Sequence, residues 1–463
     1  MPLDSRLERD DTELTPEHTV ARLREAIALG ERDGAVLLAD RVDNEDAEAI
    51  FDALDATETS ALFDLVGDEE FAELIVRLDD EHAADVLEQI PAHDAADVLE
   101  ELSPDDATDI FGELEPEHSD IILVQMEPEE AAELRELLAY PPETAGGLMT
   151  PAFVSISPTL RADQAVVALR KVAEAAETVN YVYVTDPEDH LLGVLSLHRL
   201  VLTTPDSLVE NLMYARPITV RVDADQEEAA RILVENDLLA LPVVDDENHI
   251  LGIITVDDIT EVLEREVTED IERIGGSAPL SEPYLRAPAR LLYRKRIVWL
   301  FVLFMAQFLT VSIISRYDSL LADMTVLSFF IPILIGTGGN IGSQTVTTIV
   351  RALAIGEIGP QHTLRVLFKE ASTGLMLGLT MAILMFVRAV LTSGANAQVG
   401  MVVAITVFSI GIWAATVGSI LPIILNRFRV DPAVVSAPFI SSLVDTTGLI
   451  IYFSVARAIL HIG

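Results

Sequence analysis

The sequence predicts a multidomain membrane protein: an α-helical superhelix first, a tandem α/β pair next, and an all-α transmembrane domain of five helices last. Three observations predict it. Acidity is confined to one part, because the first 296 residues hold 70 of the 76 Asp and Glu side chains against 22 of the 30 Lys and Arg, and the remainder holds 6 against 8. A twelve-residue apolar repeat runs through the acidic part and gives way to two copies of a strand–helix–strand–strand–helix pattern. Five apolar runs follow, each long enough to cross a hydrocarbon core of about 30 Å. The expected boundaries are an extension at 1–40, an acidic helical repeat domain at 41–145, two α/β units at 146–208 and 209–268, a connecting region at 269–296 and the membrane domain at 297–463.

Such acidity has two physical sources. Dense carboxylates stay hydrated in a salty, halophilic cytoplasm that screens their repulsion, and the near absence of lysine (only Lys171, Lys295 and Lys369) agrees with that. Clustered carboxylates also collect hard divalent cations through oxygen. The charge excludes nucleic acid as an expected partner. Cysteine is absent, which removes disulfides, thiolate metal sites and cysteine nucleophiles. Neither a nucleophile–base pattern nor a P-loop points to an enzyme. The start, Met1-Pro-Leu-Asp-Ser5, carries no basic or apolar leader, so no cleaved signal is expected.

In chain order, Val20–Leu29 forms the first amphipathic helix candidate. Leu54, Val66, Leu78, Ile90, Leu102, Leu114, Met126 and Leu138 then fall twelve apart. Pro91, Pro104, Pro116 and Pro128 open the later units in acidic turns, where proline suits a first helical turn and Ser or Asp can cap it. Each unit reads as a helix of about two turns, and stacked units make a small superhelix. Gly146-Gly147 marks a boundary. Strands at Phe153–Ile156, Tyr181–Val184 and Leu192–Ser196 recur at Ile218–Val222, Leu241–Val244 and Leu251–Thr255. This tandem resembles a pair of cystathionine β-synthase (CBS) domains, a family that binds regulatory ligands and often adenosine nucleotides such as ATP. The resemblance makes Thr255 and Asp258 nucleotide contacts in the second unit, where the first unit has Ser196 and Arg199. An acidic helix follows, with Asp258, Glu261 and Glu269 near one face, and reads either as a solvated face or as a cation surface. Arg286, Arg290, Arg294, Lys295 and Arg296 stand just before the first apolar run, as at a cytoplasmic membrane surface.

The five runs cover roughly 297–315, 325–352, 367–391, 399–425 and 434–460. Bases after the second and fourth (Arg351, Arg365, Lys369; Arg427, Arg429) place the N-terminus inside and the C-terminus outside. In the second run, Pro332–Gln344 carries Gly338 and Gly342 on one face and Asn340 and Gln344 on another. It reads as a packing motif or as a pore wall. In the fifth, Asp445 at membrane depth is a functional-site candidate. An ion pair with Arg388 is the competing reading. Ser441, one turn earlier, can share a ligand with Asp445. Asp431, in Asp431-Pro432, reads as a group at a pore mouth or as a helix cap.

Pro332 with Gly338-Gly-Asn-Ile-Gly-Ser-Gln344, Arg351-Ala-Leu-Ala354, Asp431-Pro-Ala433 and Asp445-x-x-Gly-Leu-Ile-Ile-Tyr452 together resemble the MgtE family of magnesium channels and transporters. The order of an acidic helical N domain, a CBS pair, a connecting "plug" helix and five spans is similar along nearly the whole chain. The resemblance implies a plasma-membrane homodimer with a pore on its two-fold axis, lined from the second and fifth spans, here by Gly338, Asn340 and Gln344. It implies Mg²⁺ bound by Asp445 with the carbonyl of Ser441, and Asp431 at the cytoplasmic mouth. It further implies regulatory Mg²⁺ at Gly147, Asp225, Glu227, Asp237, Asp258, Glu261, Glu266, Glu269 and Asp270, with Asp105, Asp106 and Asp109 from the N domain. The expected function is a Mg²⁺-selective inward channel gated by cytosolic Mg²⁺. An ion-coupled carrier of divalent cations and a membrane-anchored nucleotide sensor are the rival readings.

Overall fold

The chain divides between Glu264 and Arg265 into two compact units. The computed structural model describes residues 15–461 apart from 40, 43, 173–175, 281–283, 286, 393–395 and 429. Arg286 and Arg429, part of the expected basic clusters, lie outside the described residues.

Among the described residues, the first unit opens with ten helices: α1 (Pro16–Leu29), α2 (Arg32–Ala39), α3 (Asn44–Ala53), α4 (Ala56–Val66), α5 (Asp68–Ile75), α6 (Asp80–Leu87), α7 (Ala92–Glu101), α8 (Pro104–Glu113), α9 (Pro116–Gln125) and α10 (Pro128–Leu137). Local chemistry starts several of them. Asp55 and Glu58 form a reciprocal capping box on α4, Asp79 caps α6, Ser103 caps α8, and proline opens α8, α9 and α10. From α5 onward, alternate helices pack on one another, α5 on α7 and α7 on α9, α6 on α8 and α8 on α10. The repeat positions Leu54, Val66, Leu78, Ile90, Leu114 and Met126 are buried in one core, with Leu102 packed against it. Leu138 departs from this, at 37% exposed, because it lies at the end of the stack. Two glutamates tie the layers: the Glu115 amide donates to Glu88 and the Glu127 amide to Glu100, each 27 residues away.

Two sheets follow. The first has order β1-β2-β3-β4, from β1 (Ser155–Ile156), β2 (Tyr181–Thr185), β3 (Leu191–Ser196) and β4 (Tyr214–Ala215). The second has order β5-β6-β7, from β5 (Val220–Arg221), β6 (Ala240–Val244) and β7 (Ile250–Thr255). In both, the first strand runs parallel to the second and the third antiparallel to it. The helices α11 (Ala162–Val172), α12 (Leu197–Leu202), α13 (Val209–Leu212), α14 (Gln226–Glu235) and α15 (Val256–Ile274) complete the pattern. The units exchange edges. Thr150, which precedes the first unit, pairs with Ile253 of β7, while β4, which precedes the second, pairs with β3. Gly252 and Gly193 permit these approaches: a Cβ there would lie 2.8 Å from the Thr150 and Tyr214 carbonyls.

In the second unit, α16 (Ala289–Arg316), a short α17 (Asp318–Asp323), α18 (Ile331–Ala354), α19 (Thr363–Val390), α20 (Ala397–Arg427) and α21 (Ala437–Leu460) follow the end of α15. Among the described residues, five stretches are long and apolar enough to cross a membrane: Ala289–Arg316, Thr325–Ala354, Pro360–Val390, Ala397–Arg427 and Ala437–Leu460. The first starts earlier than its apolar run, because the helix extends back through the basic cluster. α18, α20 and α21 pack mutually, α19 lies on α20, and α16 lies on α21.

The exchanged edges can be tested. Gly252→Val should lower stability by about 1–3 kcal/mol, since neither a carbonyl nor a paired strand can yield cheaply. Gly112→Ala, where nothing lies within 4 Å, should leave it unchanged or raise it slightly. Chemical denaturation followed by circular dichroism measures both.

Candidate functional site

Asp445 lies midway along α21 and is 9% exposed. Its Oδ1 is buried without a hydrogen-bond partner among the described residues. The neighbouring helix makes room with glycine. A Cβ on Gly339 would collide with the Ser441 hydroxyl and come within 3.5 Å of Asp445 Oδ1. Gly338 and Gly342 touch Ile410, Val444 and Ile440 instead. Gly338 is therefore a packing position inside the bundle, and Gly339 is the glycine that faces Ser441 and Asp445. Asn340 and Gln344 lie exposed on the other face of α18. The Ser343 hydroxyl donates to the Ala437 carbonyl (3.2 Å), tying α18 to α21. From α16, Gln307 hydrogen-bonds Asp445, and Thr310 bonds Thr446 at 2.9 Å.

The Arg388 ion pair is not formed. The Arg388 guanidinium donates to Thr392 one turn along its own helix. Arg457 sits 5.3 Å above the Tyr317 ring. Both bases are engaged elsewhere, and no ion pair to Asp445 is formed among the described residues. Sequence reasoning missed Gln307, although an amide in the first apolar run was a usable signal.

A second cluster gathers at the start of α21. Asp431 accepts from the Ala433 amide (2.7 Å) and so caps a short 3₁₀ turn, Pro432–Val434. Its other oxygen takes an ion pair from Arg273, which also pairs with Glu269 one turn back on α15. Asp270 lies beside this pair, and burial, Asp431 and Glu266 push its carboxyl up to about 6. Arg273 was not expected from sequence. It neutralises part of a charge that Glu266, Asp270 and Asp431 leave in surplus.

A third cluster lies in the first unit. Asp105, on α8, is 8% exposed and its Oδ1 has no partner among the described residues. Burial, then Asp258, Asp106 and Glu177, push it up to about 7. Asp258 is raised by burial against the bonds it accepts from the Thr255 amide (2.9 Å) and hydroxyl (2.8 Å). Glu177 is raised by burial, Asp258, Asp106 and Asp257. Carboxylates crowded in this way repel one another, and a dication or a shared proton is what relieves such repulsion. Glu177 escaped sequence reasoning because it stands in a loop. Thr255 and Asp258, the expected nucleotide contacts, are bonded to one another here.

The other expected ligands are dispersed. The turn at Gly147 runs beside the start of α14, where the Ala145 amide donates to the Ala224 carbonyl and Thr144 bridges Asp225. Asp225 caps α14 through the Glu227 amide, and Asp237 takes a positive φ of 50° in the turn after that helix. Asp109 is half-buried one turn beyond Asp105, and Glu261 is exposed on α15.

The sequence matches three families: MgtE divalent cation transporters over residues 331–455, the MgtE intracellular N domain over 42–143 and the CBS domain over 209–265. It is 39% identical over 330 residues to the magnesium transporter MgtE of Thermus thermophilus, covering 71% of this chain and 73% of that one. It is 35% identical over 332 residues to the magnesium transporter MgtE of Bacillus subtilis, covering 72% and 73%. Its fold is similar to a crystal structure of the soluble part of a magnesium transporter, at 35% identity and a TM-score of 0.50, covering 54% of this chain and 99% of that one.

The Asp105 cluster sets a pH dependence. Held up to about 7, Asp105 keeps its proton in the folded chain where the unfolded chain has lost it. The folded state then binds more protons between about pH 4 and 7, and stability falls as pH rises through that window. Thermal melts in chelator should decline from pH 5 to 7.5, and Asp105→Asn should flatten the decline. An unchanged slope in the variant would refute the assignment.

Proposed function

The chain belongs to the MgtE family of divalent-cation transporters, and on that premise we propose that it is a Mg²⁺-selective inward channel of the plasma membrane, gated by cytosolic Mg²⁺. It acts as a homodimer, with the acidic domains in the cytoplasm and the C-terminus outside. The observation that carries this reading is Asp445: a carboxylate within a membrane-spanning bundle, one oxygen without a partner among the described residues, with Arg388 and Arg457 engaged elsewhere. A charge so placed takes a cation. Two copies across a dimer axis supply the charge of one dication. Mg²⁺ keeps most of its water, so Asp445 and the Ser441 carbonyl bind a hydrated ion rather than strip it, and the exposed Asn340 and Gln344 line the pore apart from that site. Entry is favoured by about 4–5 kcal/mol per 100 mV, negative inside, for two charges.

Gating follows from the carboxylate clusters. At low Mg²⁺ the Asp105–Glu177–Asp258 group and the Glu266–Asp270–Asp431 group repel internally. Bound Mg²⁺ removes that repulsion and favours the state that holds them together, which is the closed one. Closure needs only tighter cation binding to the closed state than to the open state. The loop at Gly147 with Asp225, Glu227 and Asp237, and the acids Glu261 and Glu269, are further regulatory Mg²⁺ ligands in this reading. An adenosine nucleotide at the second CBS domain would exchange the mutual Thr255–Asp258 bonds for bonds to ribose and phosphate.

Asp445→Asn should abolish selective Mg²⁺ uptake into vesicles while leaving the protein folded; selective flux at the normal rate would end the pore assignment. Current at fixed voltage with no Na⁺ or H⁺ gradient is the expected signature of a channel, and its absence alongside gradient-driven uptake would identify a carrier. Neutralising Glu261, Glu266, Glu269 and Asp270 together should leave current flowing at cytosolic Mg²⁺ that closes the natural channel. Normal closure in that variant would assign those acids to salt adaptation alone.

A further inference from the structure

The histidines are the only nitrogen ligands that titrate near neutrality in a chain without cysteine, and one of them is buried among carboxylates that belong to none of the clusters above. His82, on the first turn of α6, is 6% exposed. Its Nδ1 lies 3.2 Å from Asp79 Oδ2 and 4.0 Å from Glu48 Oε1, and its Nε2 lies 3.6 Å from Asp52 Oδ1. Asp79 is held in place because its other oxygen accepts the His82 amide at 2.8 Å. Asp85, one turn further along α6, is raised by burial and then by Glu88, Asp79 and Asp52, so repulsion remains even with the imidazole present.

We propose that Glu48, Asp79 and His82, with Asp52 on the far side of the ring, form a binding site for a first-row transition dication of the Zn²⁺ class. One donor atom each from Glu48, Asp79 and His82 lies within 4.8 Å of the others. That matches the spacing around an ion with ligands at about 2.0–2.2 Å, after small inward rotations of the side chains. The donor set fixes the class. Mg²⁺ takes oxygen and retained water, whereas an imidazole with two carboxylates suits Zn²⁺, Co²⁺, Ni²⁺ or Mn²⁺. With Nδ1 turned to the ion, Asp52, 3.6 Å from Nε2, stands where the orienting carboxylate of such a ligand stands. Glu48 and Asp52 come from α3, and Asp79 and His82 from α6, so a bound ion would join two helices remote in sequence and couple its own binding to their packing. This site is separate from the carboxylate clusters assigned to Mg²⁺ above and does not depend on that assignment.

The test uses the full chain in detergent, stripped with chelator and held in millimolar Mg²⁺ so that all-oxygen sites are filled. Zn²⁺ is then titrated against a chromophoric chelator. One tight equivalent is expected, weakened at least about tenfold in His82→Gln and in Glu48→Gln and unchanged in His118→Gln and His190→Gln. Glu48 is only half-buried, so Glu48→Gln keeps the test decisive where the buried His82 variant fails to fold. Co²⁺ in the natural chain should give the visible absorption of a nitrogen-ligated ion. No tight Zn²⁺ equivalent, or one that survives both site variants, would overturn the proposal and leave His82 as an imidazolium paired with Asp79 and Asp52.

Discussion

A carboxylate inside an apolar helix bundle must be matched by a proton, a base or a cation, and the surroundings of Asp445 narrow that choice. Arg388 and Arg457 are occupied elsewhere. What reaches Asp445 is the neutral amide of Gln307 and the glycine-backed face of α18. An amide orients a carboxylate without cancelling its charge. The small residues of α18 serve the same end, since Gly339 admits Ser441 and Asp445 where any side chain would displace them. The packing of the bundle and the exposure of its one buried charge are thus a single arrangement.

The same distinction between balanced and unbalanced charge organises the acidic part. Many of its carboxylates lie on solvated faces, where salt screens them and where they serve solubility. Asp105 does not, for it is buried, and partial desolvation with neighbouring carboxylates raises Asp105, Glu177 and Asp258 alike. Asp270 is raised for the same reasons beside Asp431. Composition counts all of these acids alike. Only folding separates those that water stabilises from those that need a bound ion or proton.

Much of the architecture was legible because it rests on periodicity. The twelve-residue repeat, the doubled strand pattern and the five apolar runs each record a buried face, and each appears as helix, sheet or span. Asp445 was legible for a simpler reason, as a lone carboxylate in an apolar run. Partnerships across the chain were not. Nothing in the spacing of Gln307, Arg273 or Glu177 tells which acid each one meets, because those meetings depend on how separate elements pack. Which glycine of α18 meets the acid was not legible either: adjacent glycines on a helix point 100° apart, and it is Gly339, not Gly338, that faces Ser441 and Asp445.

The exchange of edges between the two CBS units carries a consequence for how that region holds together. Each sheet is finished by a segment that belongs, by sequence, to its neighbour: Thr150 on β7 and β4 on β3. A unit excised at its apparent boundary would lose a strand and bare a row of backbone donors and acceptors, the kind of edge along which chains aggregate. The shared core of Tyr183, Leu191, Ala240 and Ile253 would open at the same time. The pair is therefore a clasp whose halves are closed only by each other. Strain applied to one half, whether from heat or from a ligand, is felt by the other without any further contact to carry it.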